Sequence, residues 1–212
     1  MPRSHPPYRT DCPYHVTART NNQTWFQIPL AQVWEIFQNQ LFFIHHAFGV
    51  KIHSFVLMSN HFHLLISDPE GKISQALRWL MTETSRDINH EQKSKNHVYG
   101  QRNYRTLLSN SHYFLHAYKY VYRNPVEAGV CKWVEEYPYS TLRGLLGFEK
   151  MIIPLSPDTF MDDDLEGSLK WLNSHPEKEN YKAVRVALRK SDFKLPLSRF
   201  ERQASPLESM RY

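Results

Sequence analysis

Val50-Lys51-Ile52-His53-Ser54-Phe55-Val56-Leu57-Met58 is followed by Ser59-Asn60 and then by His61-Phe62-His63-Leu64-Leu65-Ile66-Ser67. The flanking runs are rich in aliphatic and aromatic residues that suit a pleated surface, and the Ser-Asn pair between them is a turn signal. The stretch predicts a β-hairpin with strands at 50–58 and 61–67. Alternation along the second strand puts Phe62, Leu64 and Ile66 on one face, and His61 and His63 on the other.

The neighbouring segments extend this plan. Residues 13–20 alternate, with Tyr14, Val16 and Ala18 on one side and His15, Thr17 and Arg19 on the other, as in a strand with one buried face. Residues 29–48 carry Leu30, Val33, Trp34, Phe37, Leu41 and Ile44 at helical spacing, with Pro29 in the first turn and Gly49 as a stop. After the break at Asp68-Pro69-Glu70-Gly71, a stripe of Ile73, Leu77, Leu80, Met81 and Ile88 marks a second helix over 72–90. A short fourth strand is expected near Tyr104–Leu108. The order β-α-β-β-α-β is the split-βαβ plan. The expected fold class is therefore α+β and ferredoxin-like, a four-stranded antiparallel sheet with two helices on one face. An added tyrosine-bearing helix, over 111–123, is expected on the other face. It should start at the capping candidates Ser109 and Ser111 and stop at Asn124-Pro125, since a residue before proline leaves the helical region.

With 212 residues, the chain is long enough for one ordinary domain and an appendage. Residues 1–150 are expected to form the domain and 151–212 a C-terminal extension. The longest apolar runs, such as Phe55–Met58, are too short to span a membrane. The opening Met-Pro-Arg-Ser-His-Pro-Pro lacks the apolar core of a signal peptide. Cys12 and Cys131 stand far apart, which excludes a disulfide scaffold or thiolate zinc site and fits a reducing cytoplasm. No G-x-x-x-x-G-K-[ST] or G-x-G-x-x-G string occurs, which argues against nucleotide hydrolysis and dinucleotide binding. The net charge of +5 and the 14% aromatic content suit single-stranded nucleic acid, whose phosphates want cations and whose unstacked bases want flat rings. The same figures also describe a mildly basic surface over an aromatic-rich core.

Three constellations could carry chemistry. His61 and His63 could grip one metal ion from a rigid strand, or simply be two histidines on a half-exposed one. On the helix Phe114–Asn124, Tyr118 and Tyr122 share a core-type stripe with Phe114, whereas Tyr120 lies about 200° away with His116 and Asn124. That second group is either a functional polar cluster or a solvated face with an incidental tyrosine. Finally, Arg19, Arg78, Arg86, Arg102, Arg105, Lys119 and Arg123 scatter around these elements. Arg19, Arg102, Arg105, Lys119 and Arg123 are the candidate DNA-phosphate contacts among them, with ordinary surface charge as the other reading.

Val56-Leu57-Met58-Ser59-Asn60-His61-Phe62-His63-Leu64-Leu65-Ile66 resembles the HUH motif of the single-tyrosine transposases, U being a bulky hydrophobe. The segment from Tyr118 to Val130, with Tyr137-Pro138-Tyr139-Ser140 after it, resembles the tyrosine helix and its sequel in the REP-associated tyrosine transposase branch. Tyr14–Arg19 is similar to that branch's opening strand. The resemblance covers about residues 8–148. It implies a ferredoxin-like fold, with Mg²⁺ or Mn²⁺ held by His61 and His63. It further implies Asn124 as third ligand and Tyr120 as nucleophile, because the family's tyrosine stands four residues before the Asn of the Asn-Pro pair. Ser59 replaces a proline common in the family, a change in the turn and not in the ligands. The implied activity is cleavage and rejoining of single-stranded DNA near hairpins through a 5′-phosphotyrosine, without ATP. The partners implied are single-stranded or hairpin DNA and no membrane, with monomer or homodimer undecided, in the cytoplasm and on the nucleoid when DNA-bound. A domesticated, non-catalytic hairpin-binding protein is the alternative. An H-x-H zinc hydrolase is weaker, since no third His, Cys or carboxylate sits at a usual ligand spacing.

Beyond residue 150 nothing resembles the family. Acidic residues dominate Asp158–Glu179 and basic ones dominate Lys182–Arg211. Trp171, Leu172, Val184, Val186 and Leu188 suggest one or two short helices. The two charged stretches are expected either to pair and fold back or to add phosphate contacts to a hairpin stem.

Overall fold

The computed structural model describes residues 8–196 and 205–208. Strands β1 (Tyr14–Arg19), β2 (Lys51–Leu57), β3 (His61–Ser67) and β4 (Tyr104–Leu107) form one antiparallel sheet in the order β2-β3-β1-β4. Helices α1 (Leu30–Phe48) and α2 (Ile73–Gln92) pack on one face and α3 (Ser111–Glu127) on the other. This is the ferredoxin-like α+β arrangement with the tyrosine-bearing helix on the second face.

Period-two alternation explains the layering. Val16, Phe62, Leu64 and Ile66 enter a first core with Val33, Phe37, Leu41, Leu77 and Leu80 of α1 and α2. The Phe37 ring lies 5.1 Å from Phe55 and 5.2 Å from Phe62. Side chains of the opposite parity, among them Val56 and Leu65, enter a second core with Tyr118, Val121 and Tyr122 of α3.

Helix ends follow local chemistry. Gly49 closes α1 at φ 68°, a left-handed conformation that glycine adopts without strain. Asp68, part of the sequence break, is fully buried and accepts from the backbone N–H of Lys72 at 2.7 Å and of Ile73 at 2.8 Å, satisfying the start of α2.

Both ends of α3 differ from expectation. Asn110, not Ser109 or Ser111, is the cap, because its extended backbone aims the side-chain oxygen at the Tyr113 N–H, 2.8 Å away. The helix also runs through Pro125 to Glu127. Proline forfeits only its own donor, and the Ala128 N–H still bonds the Asn124 carbonyl at 3.0 Å, so the last turn closes beyond it.

After α4 (Leu142–Leu145), the extension forms α5 (Thr159–Asp163), α6 (Leu165–Asn173) and α7 (Lys178–Ala187). Leu172, Val184, Ala187, Leu188 and Phe193 belong to the second core, so the extension completes the layer that α3 begins. Residues 191–193 run beside β4, the Leu107 N–H donating to the Ser191 carbonyl and the Phe193 N–H to the Leu107 carbonyl, each at 3.0 Å. The β4 edge, which the sequence left bare, is thereby covered. Among the described residues no ion pair joins the acidic and basic stretches. Asp158 and Asp164 instead cap α5 and α6, and it is apolar burial that folds the segment back. Arg199, Arg202 and Arg211 lie outside the described residues.

Phe193 is fully buried, with its ring 4.8 Å from Tyr113. Phe193→Ala is expected to lower the unfolding free energy in urea by about 3–5 kcal/mol, the usual cost of deleting a buried phenyl ring. A loss below about 1 kcal/mol, the level of surface substitutions, would show that the extension is no part of the core.

Candidate active site

A cleft of about 1010 Å³ opens on the α3 side of the sheet. The sheet contributes His15, Thr17, Arg19, His61 and His63, and α3 contributes Tyr120 and Asn124. Antiparallel pairing sets Arg19 opposite His61 and Thr17 opposite His63, with His15 on the diagonal from His63.

Each histidine of the H-x-H pair has one nitrogen already engaged. The Asn60 amide nitrogen donates to the Gln23 carbonyl at 2.9 Å, which turns its oxygen toward His61 Nδ1, 2.7 Å away. His61 therefore carries its proton on Nδ1 and keeps a lone pair on Nε2. His63 Nδ1 meets His15 Nε2 at 2.8 Å, with the two rings stacked at 5.1 Å, and this also leaves His63 Nε2 uncommitted. Burial pushes the imidazole pKa down, to about 3 for His15 and about 4 for His61, and well below the ordinary value for His63. The Arg19 cation pushes His61 and His63 the same way. Both are neutral near pH 7, the form that can donate a lone pair.

Tyr118 and Tyr122 anchor the phase of α3. Tyr118 Oη donates to the Asp158 carboxylate, and Tyr122 Oη shares a hydrogen bond with Thr141 Oγ1 at 3.1 Å. With both rings in the second core, Tyr120 is carried round to the sheet side of the cleft. Its ring meets His63 edge-on at 5.5 Å and stacks on Tyr181 of α7 at 5.2 Å. Tyr120 is only 9% exposed, so the solvated-face reading gives way. Burial raises its phenol pKa, while the cations of Arg185, Arg189 and Arg19 pull it down. Asn124 lies within hydrogen-bonding reach of His61. His116 lines a second pocket together with Tyr120, as the shared helix face predicts, but its ring meets the Leu207 carbonyl at 3.1 Å and does not line the cleft with Asn124.

The candidate phosphate contacts separate. Arg19 and Arg102 line the cleft. Arg105 pairs opposite Val16 and so shares the first-core face, where it donates to Ser74 Oγ at 3.1 Å. Lys119 donates to Ser174 Oγ at 2.7 Å and lies over the Trp171 ring, in this second pocket of about 500 Å³ that shares Tyr120 and Tyr181 with the cleft. Arg123 is 1% exposed, held by Glu127 and by the carbonyls of Leu172 and Asn173. The side of α3 that carries Arg123 is covered by α6, and Arg123 does not line the cleft.

Among the described residues no group of three His, Cys, Asp or Glu gathers at one point. His61, His63 and Asn124 all line the cleft, the two rings 5.0 Å apart and Asn124 within hydrogen-bonding reach of His61. No helix among the described residues is long and apolar enough to cross a membrane. Sequence reasoning placed His15 on the correct face without assigning it a partner. It missed Tyr181, Arg185 and Arg189, which also line the cleft, because no motif marks α7.

The IS200-like transposase family model matches residues 8–124, more than half of the chain. The chain belongs to this family. The matched residues contain His61, His63, Tyr120 and Asn124 and end before α6 and α7. A REP-associated tyrosine transposase of Escherichia coli (strain K12) is 30% identical over 91 residues, which are 43% of this chain and 53% of that protein. The family member described here thus spans about half the length of that curated relative. A solved REP-associated tyrosine transposase bound to a REP hairpin superposes with a TM-score of 0.58 at 20% identity, over 74% of this chain and 93% of that one. At that identity the likeness supports the fold.

His15 and His61 have folded pKa values of about 3 and about 4, below an unfolded value near 6.5. The unfolded chain therefore takes up protons first as the pH falls. Their contribution is complete above pH ~6.5 and is lost progressively toward pH ~4 and below. Urea unfolding is expected to give lower stability at pH 5 than at pH 7; equal stabilities at the two pH values would show that these rings are not buried in the neutral form.

Proposed function

We propose that this protein is a divalent-metal-dependent transposase that cleaves and rejoins single-stranded DNA beside a hairpin, with Tyr120 as nucleophile. The observation that carries the reading is Tyr120 standing edge-on to His63 in the cleft that also holds His61 and Asn124. Membership of the IS200-like transposase family and the REP-hairpin complex of a structural relative support it.

The donor set fits a divalent ion. His15 and Asn60 orient His63 and His61 through their Nδ1 atoms, as second-layer partners do for metal-bound imidazoles. Their Nε2 atoms and the Asn124 amide would hold Mg²⁺ or Mn²⁺, an amide oxygen being a hard donor and two imidazoles suiting Mn²⁺ as well. When bound, the ion supplies Lewis-acid charge to the oxygens of the scissile phosphate. The chain's own residues do the rest. Tyr120 Oη forms a bond to phosphorus while the P–O3′ bond breaks, and the electron pair leaves with the 3′-oxygen, which ends as a hydroxyl. One phosphodiester replaces another, so the DNA end is stored covalently and the reverse attack rejoins it without ATP. Contacts with His63 and Tyr181 hold the Tyr120 ring in one orientation, and burial limits competing water. Arg19 and Arg102 are the phosphate contacts from the sheet side.

Labelled REP-type hairpin DNA with a single-stranded extension, incubated with Mg²⁺ or Mn²⁺, is expected to give a denaturation-resistant protein–DNA adduct. Tyr120→Phe should abolish the adduct, by on the order of a thousand-fold or more, and retain hairpin binding. Tyr118→Phe and Tyr122→Phe should still cleave. His61→Ala, His63→Ala or EDTA should remove activity, with Asn124→Ala milder because water can replace an amide ligand. Full cleavage in EDTA, or an adduct mapped to Tyr118 or Tyr122, would sink the mechanism. Hairpin binding without any adduct would instead support a non-catalytic binder.

A further inference from the structure

One wall of the cleft comes from the extension, beyond the family-matched residues 8–124. Tyr181 and Arg185 are one turn apart on α7, and Arg189 lies in the turn just beyond its C-terminal end, its N–H bonded to the Val186 carbonyl at 3.1 Å. All three line the cleft, while Val184, Ala187 and Leu188 enter the second core. The helix is therefore held by its apolar face with its cationic face toward Tyr120.

Both arginines are exposed, and neither pairs with a carboxylate among the described residues. Arg123, on α3, shows the contrast: its guanidinium is consumed by Glu127 and by backbone carbonyls. Guanidinium groups present a planar fork of donors that matches phosphate oxygens. Two such groups lining the same cleft as Tyr120, His61 and His63 suit it to an anion at the point of attack.

Building on the proposed function, we propose that Arg185 and Arg189 clamp the phosphate that Tyr120 attacks, and that Tyr181 is a positioning residue that fixes the Tyr120 ring by stacking on it. As the Tyr120 Oη–P bond forms and the P–O3′ bond breaks, the phenol proton passes to water and the 3′-oxygen takes up a proton. The charge that builds on the non-bridging oxygens meets the two guanidinium groups.

The test uses the full chain with R185A/R189A, R185K/R189K, Y181F and Y181L. R78A, on exposed α2 surface across the sheet, is the control. The first readout is binding of oligothymidylate in EDTA across a salt series, which reports phosphate contacts without cleavage. R185A/R189A is expected to lose affinity and to flatten the salt slope by about 1 unit, close to 0.7 per phosphate contact on a single strand. R185K/R189K should keep the slope. The second readout is single-turnover cleavage of the REP-type hairpin at saturating protein. R185A/R189A should be slower by about 100-fold, the scale of losing a donor to a developing oxyanion. Y181L should cleave slowly with unchanged oligothymidylate binding, and Y181F, which keeps the ring stack but loses the hydrogen bond from the Tyr181 hydroxyl to Tyr120, should fall between Y181L and the parent. An unchanged salt slope, or cleavage at the parental rate, in folded R185A/R189A overturns the clamp. Cleavage by Y181L at the parental rate overturns the positioning role. A parent that cleaves no DNA while R185A/R189A still loses salt slope overturns the proposed function and leaves the arginine pair standing as a phosphate site.

Discussion

The alternation of β3 is the constraint on which the rest depends. Phe62, Leu64 and Ile66 are fully buried beneath α1 and α2. A slip of one residue would bring these three side chains out of the core and put His61 and His63 into it, so the register is tightly specified. The two imidazoles must then face the other side of the sheet, where α3 passes over them. Their burial there would be costly without partners, and His15 and Asn60 supply one to each ring. The same two contacts leave both Nε2 atoms toward the cleft, so satisfying the fold and preparing a ligand set are one arrangement.

The second face is fixed by the tyrosines that do not enter the cleft. Tyr118 and Tyr122 lock the rotation of α3 through packing and through hydrogen bonds to Asp158 and Thr141. Tyr120 is a consequence of that phase. Its ring is buried, while the cations around it, Arg19, Arg185 and Arg189, are exposed. The opposing pulls on its hydroxyl, burial against three arginines, come from two elements far apart in the chain: β1 and the α7 segment.

The extension belongs to the same layer as the tyrosine helix. Its charge blocks were the most conspicuous feature in the sequence, yet they do not pair with each other among the described residues. What folds it is the modest set of Leu172, Val184, Ala187, Leu188 and Phe193. Exposed charges gain little from pairing in water, whereas apolar area gains free energy wherever it meets a core. The second core has an open side after α3, and α6 and α7 close it.

The sequence by itself determined the sheet, the two covering helices, the face of the histidines and the separation of Tyr120 from Tyr118 and Tyr122. These are local periodicities of two and of 3.6 residues, and burial enforces them whatever the rest of the chain does. The cap at Asn110 and the passage through Pro125 escaped it, because competing capping candidates and a single lost donor are settled by small differences in the completed helix. Only the tertiary structure decided which cations reach the cleft. Arg105 and Arg123 are as basic as Arg19, but one shares a strand face with Val16 and the other lies under α6, and so neither meets the site. Arg185 and Arg189 do meet it, because α7 is fastened through its apolar side to a core built by residues far earlier in the chain. Contacts at that sequence separation depend on how two surfaces dock, and no local pattern encodes the docking.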